Sequence, residues 1–437
     1  MNPLYNAGIA LYGFAARCVA RRNPKVARML RGQDRTLQRI RRQRMAIAPG
    51  GFDLWIHSAS LGEFEQARPL IDRLLAERPD ISILASFFSP SGFEVRRDYH
   101  PRVAAVYLPF DTPRAAEAFI EAAAPRMAIF VKYEFWGNYL SELSRRGIPA
   151  YLISAIFRPG QIFFKPWGGA FRRILRCFTH IYVQDQASLR LLASIGLGSR
   201  VSVAGDTRFD RVAAVRDAGR VIPEVESFLA SSPGAPLFIA GSSWPEDEAR
   251  YVPWLLKRTD VKAIIAPHEF DSARIDALRH SLGPAQTMPF SEFKEIFAAD
   301  PADPRLPGVR ILLMDCFGLL SSLYRYASVA YVGGGFGKSI HNINEAAAYA
   351  IPVVFGPRRN KFKEAADLIS CGGAFEVDSA ASMATALSRL FDDPAARSAA
   401  GEAAGKYIRE SVGATDKIHS DLFPDLTTSS SVKPTNE

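Results

Sequence analysis

Cysteine is scarce and scattered: Cys18, Cys177, Cys316 and Cys371 stand among 437 residues without a CxxC pair. Histidine is almost as rare, seven in all, and forms no HExxH. These absences argue against a disulfide framework and a zinc cluster, and predict a chain that works in a reducing compartment without a structural metal. No paired-aspartate motif offers a magnesium site either, so neither metal nor cofactor is expected. Long apolar runs are missing too. The leader Leu4 to Ala16 would extend about 20 Å as a helix, short of a hydrocarbon core of roughly 30 Å. No small-residue cleavage site follows it, as a removable signal peptide would require. The familiar nucleotide loops are also absent. In Tyr331 to Pro357, YVGGGFGKSIHNINEAAAYAIPVVFGP, the residue five before Gly337 is Val332, where a Walker loop needs glycine. The third glycine of a dinucleotide fingerprint would fall on Lys338.

What is present begins with charge. The net charge of +9 is an N-terminal property: residues 1 to 50 hold eleven lysines and arginines against the single acid Asp34, and the remaining 43 basic and 44 acidic residues nearly cancel. Within that stretch Val26, Leu30, Leu37 and Ile40 fall at helical spacing among arginines. Residues 1–48 therefore read as a basic helical segment that lies on an anionic membrane surface, on the cytoplasmic face of the inner membrane, as a peripheral or monotopic attachment. A solvated charged helix or a nucleic-acid arm would not carry the apolar leader, and no nucleic-acid partner is expected.

From residue 51 strand-like and helix-like stretches alternate: FDLWIHSAS, ISILASFF, RMAIFVKY, IPAYLISA and THIYVQD, then APLFIAGS, VKAIIAP, VRILLMD, ASVAYVGGG and IPVVFGP. Such alternation implies parallel sheets covered by helices on both faces. The fold class is α/β with two facing Rossmann-like domains, 49–215 and 225–410. Residues 211–236 read as a hinge, 411–437 as a tail, and the Ser/Thr/Pro-rich end from about residue 426 as disordered. Ligands of such sheets bind beyond the carboxyl ends of strands, here in the cleft expected between the two domains.

The suggestive residues sit just after strands. In SLGE, Ser60 to Glu63, the glutamate reads either as the closing partner of an S-x-x-E capping box or as a general base. Glu134, beside Lys132 and Trp136, reads as a site carboxylate or as half of a salt bridge. AGSSW and APHE bring Ser242, Ser243 and His268 to strand ends. The glycine loop reads either as a tight turn with no ligand or as glycines that let a ligand approach the backbone, with a helix opening near Asn342 that presents free N–H groups to an anion. Three residues further, Glu345 is placed to accept ribose hydroxyls, on a helical face shared with His341. That arrangement suits a nucleotide sugar.

With these motifs, and with SPSG (Ser89 to Gly92), YLPFD, YEFWGN, GDTRFD, AGSSWPEDE and NKFKEAADLI in the same order, the chain resembles the 3-deoxy-D-manno-octulosonic acid (Kdo) transferases of lipopolysaccharide assembly. The resemblance implies GT-B architecture and transfer of Kdo from CMP-Kdo to the lipid A precursor with inversion. It implies Glu63 as base; Arg208, Ser242, Ser243, His268, Gly318, Gly334, Gly335, Lys338, Asn342 and Glu345 on the donor; and Ser60, Gly62, Ser89, Gly92, Glu134 and Trp136 on the acceptor. The chain departs from the family pattern at Lys132, Leu319, Pro267 and the SAIFR segment, where Arg158 is the nearest substitute for the family's arginine. A lipid-directed UDP-sugar transferase would keep the glycine loop and Glu345 without needing SLGE. A non-catalytic nucleotide-sugar-binding protein would tolerate Glu63→Gln.

Overall fold

A computed structural model of the chain describes residues 3–359 and 362–425. They form two compact units, Met1–Arg211 with Val412–Glu437, and Val212–Ser411. In the first unit the strands are Leu54–His57 (β1), Ile83–Phe87 (β2), Val103–Tyr107 (β3), Met127–Val131 (β4), Ala150–Ala155 (β5), His180–Val183 (β6) and Val201–Val203 (β7). All pair in parallel, in the order β3-β2-β1-β4-β5-β6-β7. The second unit repeats the plan with Leu237–Ser243 (β8), Lys262–Pro267 (β9), Thr287–Pro289 (β10), Ile311–Leu313 (β11), Val329–Val332 (β12), Val353–Phe355 (β13) and Ala374–Glu376 (β14). Its order is β10-β11-β9-β8-β12-β13-β14.

The central strands are apolar on both faces because helices cover both, and every residue of β1, β2, β9 and β12 is buried. One cluster of the first unit gathers Trp55, Phe119, Phe130, Tyr139 and Phe178; another gathers Ile56, Phe64, Leu70 and Ile83. In the second unit Phe238, Tyr251, Trp254 and Phe391 build the corresponding core. Strand order reverses direction between β1 and β4, and between β8 and β12. At those two points the neighbouring crossovers run to opposite sides and leave a crevice at the carboxyl edge.

Three expectations need correction here. The basic segment is three helices, Pro3–Ala20 (α1), Pro24–Asp34 (α2) and Thr36–Ile47 (α3). The C-terminal half of its apolar stripe is covered by protein: Ile40 is fully buried in the first unit's core, and Leu37 packs against that core, while Val26 and Leu30 are part-buried. The large apolar residues left exposed are Leu4, Leu11, Tyr12, Phe14 and Val19 of α1 and Met45 of α3. No described helix is long and apolar enough to cross a membrane. The segment read as a hinge begins at the boundary of the two units, Arg211 and Val212, but it is helical in part: it holds the end of Thr207–Asp217 and all of Pro223–Ala230, of which Val225 and Phe228 are fully buried.

The third correction concerns the tail. Ala414–Leu422 is a helix belonging to the first unit, with Ile418 fully buried in its core. Asp210 of the GDTRFD motif holds its first turn, accepting from Gly413 N at 2.6 Å and from Thr415 N and Oγ1 at 2.7 Å each. The disorder expected from residue 426 concerns positions outside the described residues. Asp210→Ala removes all three bonds and is expected to destabilise the first unit by about 1–2 kcal/mol. Hydrogen exchange should then quicken across 414–422 before the rest of the unit, and unchanged protection there would refute the capping role.

Candidate active site

In the first unit the reversal point lies between β1 and β4, and three ionisable side chains meet there. His57 ends β1 and is fully buried. Its Nε2 lies 2.9 Å from Oε2 of Glu134, just beyond β4, and its Nδ1 lies 2.8 Å from the Ser86 hydroxyl at the end of β2. The Trp136 indole N–H donates to the same Glu134 oxygen. Glu134 is 7% exposed, so this carboxylate is matched by buried donors rather than by water.

Glu63 faces this pair from the first turn of the helix Leu61–Glu77 (α4). Its Oε2 accepts from the Ser60 N–H at 3.0 Å and from the Ser60 hydroxyl at 3.3 Å. Only that oxygen is engaged among the described residues. Burial, and then the negative charge of Glu134, push the Glu63 carboxyl above its ordinary range, against the opposing pull of His57 and the Ser60 donors. A helix N-terminus by itself would hold the pKa down. Capping and basicity therefore coexist in one side chain, which the sequence pattern treated as alternatives.

Of the other residues assigned to this end, Ser60 is the cap, Gly62 is exposed, and Ser89 caps the short helix Pro90–Arg96 through Ser91 N. Gly92 has a packing duty: a Cβ there would lie 2.3 Å from the Phe87 ring. Asp111 of YLPFD is buried and accepts from the backbone of Asn138 and Tyr139, so YLPFD and YEFWGN are two halves of one helix cap. Arg208, assigned to the donor, belongs to the first unit and pairs with Asp206 at 2.8 Å. Arg208, Asp206 and Arg158 act on the Tyr133 phenol, which also feels Glu63. His57 and Ser86 escaped the sequence reading. The signal available was a histidine at the very end of a buried strand.

In the second unit Ser242, His268 and Gly318 line a cavity of about 210 Å³ at the carboxyl ends of β8, β9 and β11, closed on one side by Phe270 and Phe317. Ser242 holds a left-handed backbone, φ 52°, that turns its carbonyl toward Gly333. Ser243 does not line the cavity: its side chain is buried, donates to Glu248 at 2.9 Å and accepts from the Tyr251 hydroxyl. His268 stacks between Trp244 and His341 at centroid distances of 4.8 and 4.2 Å. Burial, and then His268, lower the His341 pKa to about 4. The neutral ring uses Nε2 to accept from the Trp244 indole at 3.2 Å.

The glycine loop is held differently from the expectation. The helix after it is a single turn, Asn344–Ala347, so Asn342 and His341 precede it and His341 shares no helical face with Glu345. The Gly334 N–H, expected to face an anion, donates at 2.8 Å to the buried carboxylate of Asp247. The same residue accepts from Trp244 N and from the Tyr331 hydroxyl. Gly333 and Gly335 are small because Ser242 O and Gly356 lie where a Cβ would go, at 2.2 and 2.6 Å. Lys338 is exposed beside the loop. Glu345 accepts from Asn342 Nδ2 at 2.9 Å and from the Ser321 hydroxyl. Residues 360 and 361, which open NKFKEAADLI, lie outside the described residues. Among the described residues no cluster of His, Cys, Asp and Glu could hold a metal ion.

Residues 19–211 match the family model described as 3-Deoxy-D-manno-octulosonic-acid transferase (kdotransferase). A 3-deoxy-D-manno-octulosonic acid transferase of Bordetella pertussis is 28% identical over 392 residues, covering 85% of this chain and 86% of the relative. One from Haemophilus influenzae is 24% identical over 400 residues, covering 87% and 89%. Residues 19–211 thus form a Kdo transferase domain. The chain is therefore a glycosyltransferase, and its two parallel seven-stranded sheets are GT-B-like. Among solved structures, the UDP-GlcNAc 2-epimerase of Neisseria meningitidis bound to UDP-GlcNAc is 13% identical with a TM-score of 0.54, covering 82% of this chain and 98% of its own, a likeness of fold alone. In this Kdo transferase domain the residues of SLGE and YEFWGN meet at the β1–β4 reversal.

Proposed function

We propose that this transferase moves Kdo from CMP-Kdo to a sugar hydroxyl of the lipid A precursor, inverting the anomeric carbon. Glu63 takes the hydroxyl proton as the new C–O bond forms and the bond to the phosphate oxygen of CMP breaks. The observation that carries this reading is a glutamate with raised proton affinity at the strand-order reversal of the segment matching the family. The small cavity beside His268 suits a pyrimidine, and Glu345 suits the ribose hydroxyls, exchanging Ser321 for them. Lys338, exposed on the glycine loop, is a cation placed to meet the phosphate, with Arg358 on the Gly337 carbonyl beside it. Purified protein incubated with CMP-Kdo and tetraacylated precursor should release CMP and yield a lipid heavier by Kdo. Turnover of a UDP-sugar in place of CMP-Kdo would overturn the assignment.

We further infer attachment to the cytoplasmic face of the inner membrane through α1, whose outward residues Leu4, Leu11, Phe14 and Val19 are exposed beside the basic α2 and α3. Apolar burial and cation attraction to anionic lipid would act together. The full chain should sediment with phosphatidylglycerol vesicles and lose most of that binding in the Leu11→Asp, Phe14→Asp double variant. Equal sedimentation of the variant would exclude α1 as the anchor.

A further inference from the structure

The His57–Glu134 pair is a costly feature to build: two ionisable groups of one buried site, one at the end of β1 and the other in the loop after β4, 77 residues apart, with a hydroxyl on the far ring nitrogen. Neither group caps a helix or bridges the unit's surface. Glu134 as the acceptor places a proton on Nε2, and Ser86 holds Nδ1, so the ring has one orientation. Trp136 adds its indole N–H to the same carboxylate oxygen. Two donors, His57 and Trp136, thus fix one carboxylate beside Glu63, and Ser86 fixes the histidine.

We propose that His57 is a positioning residue for transfer, holding the Glu134 carboxylate against Glu63 and setting, through that charge, how strongly Glu63 holds a proton. The inference rests on Glu63 being the base. The charged groups facing Glu63 are Glu134 and His57; Tyr133 of the same loop also faces it, with Arg158, Arg208 and Asp206 around that phenol. Glu134 strengthens the base, and His57 limits the effect while keeping the carboxylate in place.

Two substitutions then act in opposite directions. Glu134→Gln removes the negative neighbour, and the acid limb of kcat/KM should move to lower pH. His57→Gln keeps an amide donor near the Nε2 position but removes the titratable ring, and the acid limb should move to higher pH, by about half a unit or more. Both should lower kcat at neutral pH about ten-fold or more, with the KM for CMP-Kdo little changed. Ser86→Ala, a milder change at Nδ1, should shift the limb in the His57→Gln direction by less.

The test is the pH profile of the three full-length variants in the CMP-release assay, alongside their thermal unfolding and CMP binding by calorimetry. Opposite shifts of the acid limb in folded, CMP-binding variants support the proposal. Limbs that stay at the wild-type pH, or that move together, overturn it and leave His57 a purely structural histidine. If His57→Gln fails to fold, Ser86→Ala against Glu134→Gln decides by the same criterion. Retained activity in Glu63→Gln would instead remove the base assignment itself, so the two failures are separable.

Discussion

Glu63→Gln is expected to lower Kdo transfer by about 10²- to 10⁴-fold while leaving CMP affinity and the fold intact. Glutamine is isosteric and its amide oxygen can still accept from Ser60 N, so the helix cap survives and only the proton-accepting capacity is lost. The pH dependence follows from the direction of the shift. Burial, and then Glu134, raise the Glu63 carboxyl above its ordinary range, so the ionised base is depleted at a higher pH than a free glutamate would be. The kcat/KM profile should fall as pH drops through that raised value, and the limb should vanish in whatever residual activity Glu63→Gln retains. A variant turning over at the wild-type rate would mean that Glu63 serves only the cap, and the acceptor proton would have to leave by another route.

The largest effect on stability is expected in the second unit, at Asp247. Its carboxylate is fully buried and accepts from the Tyr331 hydroxyl at 2.7 Å, Gly334 N at 2.8 Å and Trp244 N at 2.9 Å. Asp247→Ala strands three donors at once in a site water does not reach. The expected cost is on the order of 3–5 kcal/mol. Because those donors anchor the ends of β8 and β12, the damage should be local first: amide exchange at 331–334 should rise by orders of magnitude, and CMP binding should weaken with it. Asp247→Asn retains one acceptor oxygen and should recover part of the loss. An alanine variant that unfolds and binds CMP like the wild type would show that the loop is held by its glycine packing alone.

The distribution of misses follows the sheet architecture. The ten strands read from apolar runs are the interior strands of both sheets. The four not read, β3, β7, β10 and β14, are the four edges. An interior strand is covered on both faces and must be continuously apolar, whereas an edge strand pairs on one side only. In the glycine loop one backbone group departs from expectation for a different reason. The loop's composition suits anion binding, but its central N–H is consumed by Asp247, 87 residues earlier in the chain. Likewise Val26, Leu30, Leu37 and Ile40 form an apolar stripe that suits a leaflet or a protein surface equally. Packing on the first unit's core assigns Leu37 and Ile40 to the protein.

What the amino-acid order determined unaided was the alternation of apolar strands with helices, hence parallel sheets, hence strand ends as the place for chemistry, together with the motifs that mark Glu63 and Glu345. These are properties of neighbouring residues, carried by periodicity and backbone preference over a few turns. Tertiary structure alone decided which hydrogen-bonding groups are already satisfied: that His57 meets Glu134, that Asp210 holds the terminal helix, and that Ser243 and Gly334 are committed to the protein rather than a ligand. Such pairings join segments separated by whole crossovers. A buried donor takes whichever acceptor the fold brings within about 3 Å, irrespective of distance along the chain.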